Sequence, residues 1–174
     1  RRCAEMIGKR VERFAKGTFG KQGGFTFTAA QYERLVRHLN SPITEGGRRS
    51  TILRWIEAAA HGDRVPRYVI DTRSSIEHVY PRNPQDHWQA FEHGLEITQL
   101  ATLREMIGNL CVLPQDELGN ASYEEKRKAY ARFKAKFAND VAKTKFWTPD
   151  AVRYRTKKLT EQAIAFLALD VSGS

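Results

Sequence analysis

Apolar residues recur at helical spacing through the first third of the chain. Met6, Ile7, Val11 and Phe14 predict a helix over residues 2–16, with Gly17 as its stop. The glycine-rich stretch 17–24 reads as a loop, because it has neither the spacing nor the closing Lys-Ser/Thr of a phosphate-binding loop. Thr28 and Gln31 form a capping box that opens a second helix, with Tyr32, Leu35, Val36 and Leu39 on one face and His38 at the surface. A turn-rich connection over Pro42–Arg49 leads to a third helix, over 50–60, in which Ile52, Leu53 and Ile56 face inward. Residues 1–60 therefore read as a helical N-terminal layer or extension, placed to pack on the remainder, 61–174.

The pattern then shortens. Tyr68–Asp71 reads as a short strand, with Asp71 at a loop entry. Ile76-Glu-His-Val-Tyr, stopped by Pro81 and Pro84, predicts a second, and Ile107–Leu113, closed by Pro114, predicts its partner. Between them, Asp86 and Gln89 open a helix carrying Trp88 and Phe91, and Thr98–Met106 forms another; His87 and His93 in this insert read as structural. Ser122 and Glu125 make a further capping box, opening a basic helix that runs to Phe137 with Tyr130, Phe133 and Phe137 inward. Thr148-Pro149-Asp150 starts the last helix, whose stripe is Val152, Leu159, Ala163 and Leu167. Its Arg153, Arg155, Lys157 and Lys158 are left for solvent or phosphate. The fold class is α+β, mostly α-helical, with two short antiparallel strands embedded in helices.

Composition adds a partner class. The 174 residues carry 29 Lys and Arg against 20 Asp and Glu, a formal charge of +9, which suits a polyanion-binding domain. At 41% hydrophobic residues the chain can bury a core. No apolar run approaches the roughly 20 residues that span a bilayer. Cys3 and Cys111 lie far apart and outside any Cys-x-x-Cys pair, so neither a disulfide framework nor structural zinc is expected, and a reducing cytoplasm is the default location. The opening Arg-Arg-Cys-Ala-Glu is neither a signal peptide nor an initiator methionine and reads as the start of a piece of something longer.

Candidate chemistry gathers at Glu77-His78, a carboxylate and an imidazole at a strand end. Strand neighbours point to opposite faces, so the two meet one phosphate only if the strand bends or ends there. The ordered set IEHVYPRNP, IGNLCVLP and GNASYEEKRKAY, with a further echo in FWTPDAVRYRTKKLTEQA, resembles the HNH nuclease family with its ββα-metal fold. The specific likeness is to the domain at the C-terminus of GmrSD-like modification-dependent restriction enzymes, whose relatives include phosphorothioate-sensing systems. It covers about the last two-thirds of the chain, and residues before about Thr51 carry little of it.

The resemblance implies a metal-dependent DNA endonuclease or nickase, the effector of a bacterial defence protein. His78 matches the general base, with an ordinary pKa near 6.5 suited to proton abstraction near neutrality. Glu77 matches the acidic ligand of Mg²⁺ or Mn²⁺, and Asn120 is the candidate ligand on the helix side. Asn109 matches the middle Asn of the motif, able to pin the base-bearing strand, with Asn83 a competitor for that positioning role. Lys126 stands where a family basic residue holds phosphate, and Arg127, Arg153 and Lys157 are further DNA-contact candidates. Target choice is implied to come from a separate N-terminal nucleotide-hydrolysing sensor domain. A catalytically idle basic DNA-binding or docking module, and an RNA-cleaving HNH domain, are the alternatives.

Overall fold

The computed structural model describes residues 28–61, 69, 74–113, 118–133 and 135–167. The helix expected over 2–16, the glycine-rich loop and the strand expected at Tyr68–Asp71 lie outside the described residues, Val69 aside.

Among the described residues, α1 (Ala29–Leu39) and α2 (Gly46–His61) precede β1 (Ser75–His78). The insert follows as a 3-10 turn (Asp86–Trp88), α3 (Gln89–Glu92) and α4 (Ile97–Glu105). A second 3-10 turn (Ile107–Asn109) leads into β2 (Leu110–Leu113), and α5 (Tyr123–Tyr130), α6 (Lys136–Ala142) and α7 (Pro149–Leu167) complete the order. No helix here is long and apolar enough to cross a membrane.

The two strands pair antiparallel, with Ser75 opposite Leu113 and His78 opposite Leu110. All four residues of β2 are buried because helices cover both faces of this small sheet. Leu110 and Val112 enter a core with Leu39, Ile52, Leu53 and Ile56 of α1 and α2. Cys111 and Leu113 enter a second core with Tyr80, Trp88, Phe91, Tyr130 and Trp147. This alternation follows from successive strand side chains pointing to opposite faces, and coverage of both faces explains why β2 is a continuous apolar run. Burial also disarms the one described cysteine: it pushes the Cys111 thiol up to about 11, far from a reactive thiolate at neutral pH.

Several sequence expectations are corrected: the helix expected over 50–60 already begins at Gly46, inside the predicted turn, and Ile107–Asn109, expected as strand, is a 3-10 turn. The basic helix predicted from Ser122 to Phe137 is broken into α5 and α6. Glu57 of α2, fully buried, accepts hydrogen bonds from the Lys136 and Phe137 backbone N–H groups at 2.7 and 3.2 Å, capping α6 from a distant part of the chain. Arg155, expected to face solvent or phosphate, is buried. Its Nη1 donates to the Gly108 and Leu110 carbonyls at 2.6 and 3.0 Å, and its Nη2 to the Phe137 carbonyl at 3.2 Å. Carbonyls at the turn before β2 need donors once they leave water, and this guanidinium supplies them.

The turn at Ile107–Asn109 sits directly against α7. A Cβ added at Gly108 would lie 2.1 Å from the Val152 carbonyl oxygen and 2.7 Å from the Thr156 backbone nitrogen, so only glycine fits without backbone movement. Gly108→Ala is expected to cost at least about 1–3 kcal/mol, as other overpacked sites do. Urea unfolding would read this as a lower midpoint at unchanged slope; an unmoved midpoint would mean the turn stands off α7 in solution.

Candidate active site

His78 is the last residue of β1, and its imidazole is buried against α4. Its Nε2 lies 3.5 Å from Glu105 Oε1, longer than an ordinary hydrogen bond, and has no hydrogen-bond partner among the described residues. The other Glu105 oxygen accepts from Arg49 Nη1 of α2. The Ile43 N–H holds the Glu105 backbone carbonyl at 2.9 Å, fixing where α4 ends. Burial, then the charges of Arg82, Arg49, Lys126 and Arg104, push the His78 pKa down to about 3. The imidazole is therefore neutral at neutral pH, but the value near 6.5 expected from the sequence is not kept: as placed here, His78 is a much weaker base than an ordinary imidazole.

Glu77 faces the other side of the strand. Lys126 of α5, fully buried, donates to Glu77 Oε1 at 2.6 Å and to the His78 carbonyl at 2.6 Å. Burial lowers the Lys126 pKa, and the Glu77 carboxylate opposes that shift. The phosphate contact expected of Lys126 does not fit this placement. Its ammonium instead ties α5 to the backbone of His78, and the capping box at Ser122 and Glu125 sets where α5 begins.

Asn109 is fully buried at the turn into β2. Its Oδ1 accepts from the Tyr80 N–H at 2.8 Å and from Trp147 Nε1 at 3.2 Å. Its Nδ2 donates to the Tyr80 and Arg104 carbonyls at 2.9 and 3.0 Å. A primary amide has two donors and two acceptor lone pairs, and all four are used here. The Asn109 carbonyl also accepts from the Val79 N–H at 2.9 Å. Asn109 thus extends the ladder beyond β1 and holds the two residues after His78, the geometry of a positioning residue.

The remaining candidates lie elsewhere. Asn83 is exposed in the bend between Pro81 and Pro84. Asn120 is exposed in a turn after Gly119, which has φ +51°, and its backbone carbonyl is 2.9 Å from His87 Nε2. This contact, with Trp88 Nε1 donating to the Ala121 carbonyl at 3.3 Å, gives the insert a structural hold on the entry to α5. Arg153 and Lys157 are exposed on α7 and Arg127 is half-buried on α5. Their contacts, to Asp150 at 2.8 Å, Glu161 at 4.0 Å and the Lys145 carbonyl at 3.4 Å, are surface interactions weak enough to yield to phosphate.

Glu77, His78, Asn109 and Lys126 therefore meet around the end of β1, while Asn83 and Asn120 are not joined to them by any described contact. Glu77 and Asn120, as placed, do not fit a shared divalent ion: the carboxylate faces an ammonium and the amide sits on an exposed turn. Among the described residues no group of three or more His, Cys, Asp or Glu gathers as a metal site. Sequence reasoning missed Glu105 and Arg49. Nothing local marks either one, since Arg49 falls where a turn is predicted and Glu105 ends a short helix that carries no motif.

A family model described as the C-terminal domain of GmrSD restriction endonucleases matches residues 31–162. The chain belongs to this family. A comparison with curated proteins found no match. The GmrSD match takes in both strands, the insert, α2 with its Arg49, and α5 with Lys126, so every residue gathered at the end of β1 lies inside the family domain. Membership makes this a restriction-endonuclease domain and DNA its implied substrate class.

Proposed function

We propose that this domain hydrolyses DNA phosphodiester bonds, as an endonuclease or nickase of HNH type, with His78 as general base. The observation that carries the reading is the buried His78 imidazole at the end of β1, its Nε2 making no hydrogen bond among the described residues, in a restriction-endonuclease domain. A base must be unprotonated and fixed to within a fraction of an ångström. Burial and cationic neighbours keep it unprotonated, and the negative charge of a bound phosphate would raise its pKa back toward the working range. The Asn109 amide and the Lys126 ammonium meet the second condition by holding the His78 carbonyl and the backbone of Tyr80 just beyond it.

Arg127, Arg153 and Lys157 would track the DNA backbone without reading sequence, so target choice falls to a separate nucleotide-hydrolysing sensor domain. Mg²⁺ or Mn²⁺ belongs to the proposal through the family, supplying charge stabilisation at the phosphate. Because Glu77 and Asn120 are not brought together for it, no step is drawn through the ion.

Supercoiled plasmid incubated with the protein and Mg²⁺ or Mn²⁺ should convert to nicked or linear forms, and EDTA should prevent this. Intact plasmid that shifts on a gel in a salt-sensitive way would instead identify a basic DNA-binding module.

A further inference from the structure

We propose that Arg49, on α2 of the N-terminal layer, is a phosphate-binding residue of the His78 site. This rests on the nuclease reading and adds to it a residue from outside the strand-strand-helix unit. Arg49 is 6% exposed, and its Nη1 donates to Glu105, the carboxylate that also faces His78 Nε2 at 3.5 Å. One carboxylate thus connects the guanidinium to the imidazole. Arg49 Nε, Arg104 Nε and His78 Nε2 are all sealed from solvent and without a hydrogen-bond partner among the described residues.

Orphaned buried N–H donors are costly, and two of these three atoms belong to guanidinium groups. Arg104 adjoins Glu105 in sequence and lies over the Tyr80 ring at 5.5 Å. The charges of Arg82, Arg49 and Arg104 all act on His78, and against these three stand two carboxylates, Glu105 and, at the Tyr80 hydroxyl, Glu92. An oxyanion of tetrahedral shape is the ligand that supplies both the missing acceptors and the missing negative charge, and a guanidinium edge takes it in bidentate fashion. A phosphate held there lies beside the imidazole that the nuclease reading makes the base. The helical layer would then complete the site as well as cover the sheet.

The test uses the whole chain and two probes. Inorganic phosphate is titrated into ¹⁵N-labelled protein while the Arg49 Nε–H resonance is followed, and a short DNA duplex is bound by wild type, Arg49→Gln, Arg49→Lys and, at an exposed arginine of α1, Arg34→Gln, all in a His78→Ala background that prevents cleavage. The Arg49 signal is expected to move saturably with phosphate. Arg49→Gln should bind duplex about tenfold more weakly, as for a lost hydrogen bond to a charged group, with Arg49→Lys in between and Arg34→Gln changed less. An Arg49 signal indifferent to phosphate overturns the proposal, as does equal binding by Arg49→Gln and the parent. Should Arg49→Gln fail to fold, the wild-type titration decides alone. Neither readout needs turnover, so a domain that binds phosphate through Arg49 but never cuts plasmid would sink the nuclease reading and leave this one standing.

Discussion

His78→Ala is expected to slow metal-dependent plasmid cleavage at least about 100-fold, the lower end of what positioned general bases contribute. Its fold should survive, because the backbone around His78 is held by Asn109 and Lys126 rather than by the imidazole. Cleavage retained within a few-fold, at matched stability, would remove His78 from the chemistry. The imidazole also makes stability depend on pH. Its pKa is near 6.5 in the unfolded chain and about 3 in the native one. Between those values the unfolded state holds a proton that the native state does not, so this group's contribution is complete above pH 6.5 and lost as pH falls toward 3. Unfolding free energy should therefore decline less steeply over that window in His78→Ala than in wild type.

The largest loss of stability is expected from Lys126→Met. It leaves the buried Glu77 carboxylate and the His78 carbonyl without their ammonium donor, and breaking a buried pair from one side costs roughly 3–5 kcal/mol. Thermal unfolding should show a drop on the order of 10 °C for a domain of this size. Adding Glu77→Gln should recover part of the loss, since the amide needs no counter-charge, and this non-additivity separates a charge effect from a packing effect. A single variant as stable as wild type would mean that the pair opens to solvent. Activity should fall along with stability, because the same ammonium fixes the His78 backbone.

Local patterns carried most of the elements. The capping boxes at Thr28 and Ser122, the Thr148-Pro149 start of α7 and the inward stripe of α2 act over one or two helical turns, so their meaning survives in an isolated stretch of chain. The Glu-His strand and its Asn-bearing partner were legible for the same reason, as short apolar runs punctuated by proline and glycine. The pairing of β1 with β2 bears out the two-stranded, mostly helical fold. Charge patterning misled where it was read as exposure. Lys126 and Arg155 sit in runs of surface cations, yet each is buried, and the difference lies in partners far away in sequence: Glu77 and the His78 carbonyl for one, the turn before β2 for the other.

By itself, then, the sequence determined most of the described helices and the two paired strands in outline, the family, and the candidacy of His78 and Asn109, because periodicity, caps and ordered motifs are local. Only the tertiary structure decided which charges are buried, where the basic helix breaks, and that Glu105 and Arg49 stand beside His78. Those outcomes depend on desolvation and on contacts between residues tens of positions apart, as when Glu57 caps α6. A side chain's chemistry can be read from its letter, but its charge state and its partners are set by what the fold packs around it.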